Sequence, residues 1–170
     1  IVIGSNTYAD SRAIAIGYKS SAIADSVVVG RDAETTYTEA VAIGGNAESA
    51  GSGVAVGYSA FAEQYGVSVG DSASAFGSGS ISLGIVSNAS GKRALALGYN
   101  SKSPNDYEAT FGNLGSTPIS ANITGNLTVH ESITGPDGTR IADFDSSAVT
   151  LYQPLSVESS GPLSVANGLE

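Results

Sequence analysis

The chain has no cysteine, no tryptophan, no methionine and one histidine among its 170 residues. Without cysteine no disulfide holds the fold together, and the sequence leaves its redox compartment unread. Cationic residues are few: seven Lys and Arg stand against sixteen Asp and Glu, for a net charge of −9. That balance disfavours nucleic-acid binding, because so few cations would neutralise phosphates. It suits a soluble external rod that avoids self-association. The longest apolar runs are four or five residues, as in Ala13–Ile16 and Ala94–Leu97. They are too short for a membrane-spanning helix, no helix-length amphipathic stretch is present, and nothing at the N-terminus resembles a signal peptide.

What the chain has in abundance is glycine, Ala and Ser, and the glycines are ordered. Gly4, Gly17, Gly30, Gly44, Gly57, Gly70, Gly84, Gly98 and Gly112 follow one another at intervals of 13 or 14 residues. A period that short holds two brief strands and two turns, which makes it one coil of a parallel β-solenoid. Before each glycine stands a large apolar residue: Ile3, Ile16, Val29, Ile43, Val56, Val69, Leu83, Leu97 and Phe111. Two positions earlier another apolar residue occurs, as in Ile14, Val27, Val41 and Val54, so each coil sends a pair the same way. These aliphatics are the predicted repeat core. Between them the residue is small in most coils, as in Ala15, Ala42 and Ser68. Small residues also recur three and five positions after the glycine, predicting a second short strand packed close to the first. The glycine marks the corner, supplying a positive φ or room for neighbouring backbone. The variation between 13 and 14 must fall in the turns, since a slip within a strand would reverse its faces.

Runs such as Ala40-Val41-Ala42-Ile43-Gly44-Gly45-Asn46-Ala47 and Gly53-Val54-Ala55-Val56-Gly57-Tyr58-Ser59-Ala60 resemble the head repeat of the YadA-like trimeric autotransporter adhesins. The resemblance covers residues 1–112 and implies a trimer of left-handed parallel β-rolls. The thinness of the coil independently predicts a homo-oligomer. Two aliphatics per coil fall short of the entropy cost of ordering it, so further apolar burial has to come from sister chains around a symmetry axis. No binding residue is carried over from the repeat, which is scaffold.

Beyond residue 112 neither the neck motif nor the coiled-coil stalk that typically follows such a head is present. Residues 113–147 read as a β-strand and hairpin connector. Gly125–Val129 and Glu131–Gly135 alternate apolar and polar residues, and Pro136-Asp137-Gly138 supplies a turn before Arg140-Ile141. This wording is similar to strand repeats in bacteriophage tail fibres. Within residues 148–170, Pro154-Leu155-Ser156-Val157 recurs as Pro162-Leu163-Ser164-Val165, with Asn167-Gly168 closing a turn. That pair resembles the triple β-spiral repeat of viral fibre shafts and implies an intertwined three-chain shaft. The predicted fold is therefore all-β, a trimeric parallel β-roll followed by a fibre shaft. Because the chain opens at Ile1 and ends at Glu170 inside repeats, it is expected to belong to a longer protein.

Candidate chemistry is sparse. A Ser-His-Asp arrangement would have to be built around His130, which sits in a strand-like run and reads as a surface or packing residue. Asp137, Asp143 and Asp145 match no calcium-loop spacing and read as solvated carboxylates. Gly51-Ser52-Gly53 and Gly77-Ser78-Gly79 lack the strand and helix context of a phosphate cradle and read as turns. No catalytic residue, cofactor or metal is expected. Tyr18, Tyr58 and Tyr99 each follow a repeat glycine; they offer a surface contact to a sugar ring or protein partner, or else simply cover turn backbone.

Two unrelated fibrous motifs in one chain point to a segment of a homotrimeric virion fibre or spike, of a bacteriophage. It would extend from the particle among other virion structural proteins and meet a host cell-surface glycan or protein receptor. The alternative is the head of a Gram-negative trimeric autotransporter adhesin on the bacterial outer surface. A polysaccharide-degrading tailspike would need paired catalytic carboxylates in a cleft.

Overall fold

The structure, a computed structural model, describes residues 1–112 and, further on, the backbone of three strands, Ser132–Thr134, Arg140–Phe144 and Val149–Leu151. Residues 1–112 form a parallel β-roll. Strands Val2–Ile3, Ile14–Ile16, Val27–Val29, Val41–Ile43, Val54–Val56, Val67–Val69, Ile81–Leu83, Leu95–Leu97 and Ala109–Phe111 pair in chain order as one nine-stranded sheet. This is the aliphatic sheet. Eight two-residue strands, from Tyr8–Ala9 to Lys102–Ser103, form the second, short-strand sheet, also in chain order. Each strand lies on the equivalent residues one coil away: Val54 pairs with Val67, Val67 with Ile81 and Ile81 with Leu95.

The interior of the roll is lined almost entirely by small side chains. Within Val54–Val56 it is Ala55 that is fully buried, while Val54 and Val56 face the other way. Four inward positions recur per coil, for example Ala13, Ala15, Ser20 and Ala22, or Ala40, Ala42, Ala47 and Ser49. Val28 is the largest fully buried side chain among the described residues. The aliphatics predicted as repeat core, Ile3, Ile16, Val29, Ile43, Val56, Val69, Leu83, Leu97 and Phe111, thus lie on the outer face of the sheet rather than inside the coil. The reason is width: two sheets joined by tight turns leave room mostly for small side chains, with Val28 the largest taken in, so the period-two alternation turns the larger aliphatics outward.

Most serines are accommodated in that interior because backbone carbonyls or a neighbouring hydroxyl accept their protons. Ser68 Oγ donates to the Ala73 carbonyl at 2.8 Å, Ser80 to Ala89 at 3.1 Å and Ser101 to Thr110 at 3.1 Å. Ser82 and Ser87 share a hydrogen bond of 2.7 Å across one coil. Ser49 Oγ has no partner among the described residues.

Each aliphatic strand ends at a corner glycine of positive φ, and from Gly4 to Gly84 these glycines are also required by space. Gly57 has φ +141°, and a Cβ there would stand 2.2 Å from the Gly70 carbonyl oxygen of the next coil. Stacked corners leave no space for a side chain. Two residues further on comes a left-handed residue, such as Lys19, Asn46 or Ser59, which completes the first turn. The second turn, after the short strand, also contains one left-handed residue, such as Arg12, Asp25 or Arg93. All the length variation falls here. Between the inward residues Ala22 and Ser26 the chain uses residues 23–25, whereas between Thr35 and Ala40 it uses 36–39. The strands keep their register, as the spacing predicts.

The chain divides into two compact units, Ile1–Ser120 and Ala121–Glu170. In the second, Arg140–Phe144 is the middle of a three-stranded antiparallel sheet, with Ile133 opposite Ala142 and Asp143 opposite Thr150. The predicted shaft repeats at 154–165 and the side chains of His130, Asp137, Asp143 and Asp145 lie outside the described residues.

Candidate functional site: the outer surfaces of the roll

A scaffold whose interior is small and sealed can act only through its outside, which carries three distinct surfaces. The first is the outer face of the aliphatic sheet. Pairs such as Val27 and Val29, Val41 and Ile43, or Leu95 and Leu97 repeat at the same two positions in successive coils and make a continuous apolar stripe. Ile43, Val69 and Leu97 are each about two-fifths exposed within one chain, at 38%, 39% and 39%. An ordered stripe of this length exceeds the scattered apolar exposure of ordinary monomers and marks an interaction surface.

The second surface is the first-turn edge. Here Tyr18, Tyr58 and Tyr99 take the position after the corner glycine, all exposed, as expected of surface groups. They are not brought together. Gly45, Asp71 and Ile85 take the same position in other coils. Tyr58 receives a hydrogen bond on its hydroxyl from Asn46 Nδ2 at 3.2 Å, and the Lys19 ammonium lies 5.4 Å from the Tyr18 ring centre. These contacts serve the edge itself. One position on this edge departs from the rest: Val86, β-branched and exposed, sits at φ 58° where equivalent residues are polar.

The third surface is the second-turn edge with the adjoining outer face of the short-strand sheet. Arg12 and Asp25, one coil apart, form a two-point ion pair with Nε to Oδ1 at 2.5 Å and Nη2 to Oδ2 at 2.6 Å. The Arg12 hydrogen bonds hold the Asp25 carboxyl below its ordinary range. Arg93 lies over the Tyr107 ring, 5.8 Å from its centre. Between these pairs the edge opens into a notch of 180 Å³ lined by Tyr37, Ala50, Gly51, Glu63 and Gln64. Nearby, on the outer face of the short-strand sheet, Phe61 and Phe76 pack as a tilted pair with ring centres 5.0 Å apart.

The notch has a sequence origin that motif reading misses. Tyr37 belongs to a 14-residue coil with the longer second turn, and Gly51 and Gln64 belong to the two 13-residue coils that follow. The mismatch in turn length is the only sequence signal, and it carries no recognisable residue pattern. Gly51-Ser52-Gly53 is indeed turn, with Gly51 in the notch and Gly53 buried; Gly77-Ser78-Gly79 is turn as well. Among the described residues no group of three or more His, Asp or Glu stands together as a metal site would require.

Residues 77–101 and 89–107 match the YadA head domain repeat in two overlapping copies. The crystal structure of the collagen-binding domain of the Yersinia adhesin YadA is similar to this chain, with a TM-score of 0.64 and 25% sequence identity. That similarity covers 68% of this chain and 66% of the YadA chain, just under two thirds of the latter. No curated protein sequence matches. The repeat segment is a parallel β-roll similar to the YadA head.

Proposed function

We propose that this chain is part of a homotrimeric adhesin displayed on the outer surface of a Gram-negative bacterium, with residues 1–112 forming its head. The single observation that carries the reading is the apolar stripe on the aliphatic sheet. Sister chains that meet around a three-fold axis cover it, and each then supplies the burial that a one-chain coil lacks. The likeness to a collagen-binding adhesin domain supports a host-surface ligand for the assembled head. The role is adhesive rather than catalytic. Three equivalent contacts on one rod multiply a weak affinity through effective concentration.

The virion-fibre reading rests on the recurrence of Pro154–Val157 at Pro162–Val165, and the head resemblance favours the bacterial surface over it. Sedimentation equilibrium on the purified chain tests the assembly: three times the chain mass is expected, and a stable monomer overturns the proposal. The gene downstream of Glu170 separates the two settings. Heptads followed by four amphipathic membrane strands identify the adhesin, whereas further shaft repeats or a compact tip identify the fibre.

A further inference from the structure

We infer that the second-turn notch binds one ring of a neutral saccharide, and that it is a receptor contact of the head; this rests on the adhesin reading above. The argument starts from size. At 180 Å³ the notch accepts a single ring and is too small for a drug-sized ligand or a peptide helix. Its lining then selects the kind of ring. Tyr37 is 65% exposed and offers an aromatic platform, while Glu63 supplies carboxylate acceptors and Gln64 an amide that both donates and accepts. Ala50 and Gly51 add no bulk and no charge. A pyranose has an apolar C–H face and a rim of hydroxyls, and an aromatic plane beside a carboxylate and an amide meets both.

The floor is kept low by conformation as well as by residue type. Gly51 has φ +39°, and a Cβ there would come within 3.0 Å of Gln64 Cγ. Charge excludes acidic sugars: a sialic or uronic acid would bring its carboxylate toward Glu63 on a chain already at −9. Location fits a receptor contact too. The notch lies at the second turn, whereas the stripe reserved for sister chains lies on the aliphatic sheet. One coil beyond Glu63, in the equivalent position, stands the half-exposed Phe76, so a longer glycan has a second aromatic along the rod.

The test is an array of glucose-, galactose-, mannose- and N-acetylhexosamine-terminated glycans beside sialylated and uronate glycans, probed with the full chain. Binding to a neutral glycan and not to the acidic ones is expected. Tyr37→Ala should weaken that binding at least tenfold, Gln64→Ala several-fold, and Tyr37→Phe little. Melting temperatures should be unchanged, since Tyr37 is exposed. Failure to bind any neutral glycan overturns the inference, as does unaltered binding by Tyr37→Ala. A Tyr37-dependent contact with an unglycosylated host protein in place of a glycan overturns it as well. Host-cell attachment that survives Tyr37→Ala removes the notch and leaves the adhesin reading standing, whereas wild-type chain that attaches to no cell removes both.

Discussion

The two faces of one strand behave as different materials. On the inner side of Val54–Val56, Ala55 closes against the opposite sheet and is fully buried by its own chain. On the outer side, Val54 and Val56 carry more apolar surface yet remain partly in water. The larger side chains are the unfinished ones. The inner face therefore specifies the roll, through size, and the outer face specifies what the roll joins, through apolar area. Hydrophobicity by itself does not tell the two apart; bulk does.

Breaking the inner face should have the largest effect. Ala55→Leu places a branched side chain where two sheets leave room for a methyl, and should destabilise the roll by about 3 kcal/mol. Urea unfolding followed by circular dichroism measures this, and a midpoint near wild type would mean that the interior is wider than described. One residue along, Val56→Asp should act on assembly instead. A charge at the centre of the stripe would be desolvated between chains, so the variant should sediment as a monomer. Retention of the trimer would exclude this face as the interface.

A smaller effect of opposite sign is expected at the first-turn edge. Val86 holds a left-handed conformation that costs a β-branched residue roughly 1–2 kcal/mol. Val86→Asn should therefore raise thermal stability by about 1 kcal/mol. A fall would show that Val86 makes a contact worth more than its strain. The smallest effect belongs to the Arg12–Asp25 pair. Because the folded-state pKa of Asp25 is lowered, whatever stability the pair adds is present above the ordinary carboxylate range and lost as pH falls through the lowered value. Both groups are solvated, so Asp25→Asn should leave the neutral-pH melting temperature essentially unchanged.

The roll was legible in the sequence because each of its constraints is local and repeated nine times. A corner glycine, a pair of aliphatics and a pair of small residues recur at fixed offsets, and register follows from the period. The face assignment was not legible in the same way. Alternation shows that Ala55 and Val56 point apart, but the side that becomes the interior depends on how close the two sheets come, which is set by turn geometry. The Tyr37 notch was less legible still. It exists only as a difference between neighbouring coils, and Tyr37, Glu63 and Gln64 are unremarkable until stacking brings them together. Tyr18, Tyr58 and Tyr99 stood out by their fixed offset from glycine, yet that offset reports the turn they share and not a common pocket.

The confinement of extra residues to the second turn has an engineering meaning. Where each coil must lie on the next through corner glycines that tolerate no Cβ, the spine admits almost no variation. The opposite margin takes insertions without disturbing the pitch. Such a molecule separates heredity of shape from diversity of contact: that margin can be exchanged or lengthened to change what it touches while the spine behind it stays the same.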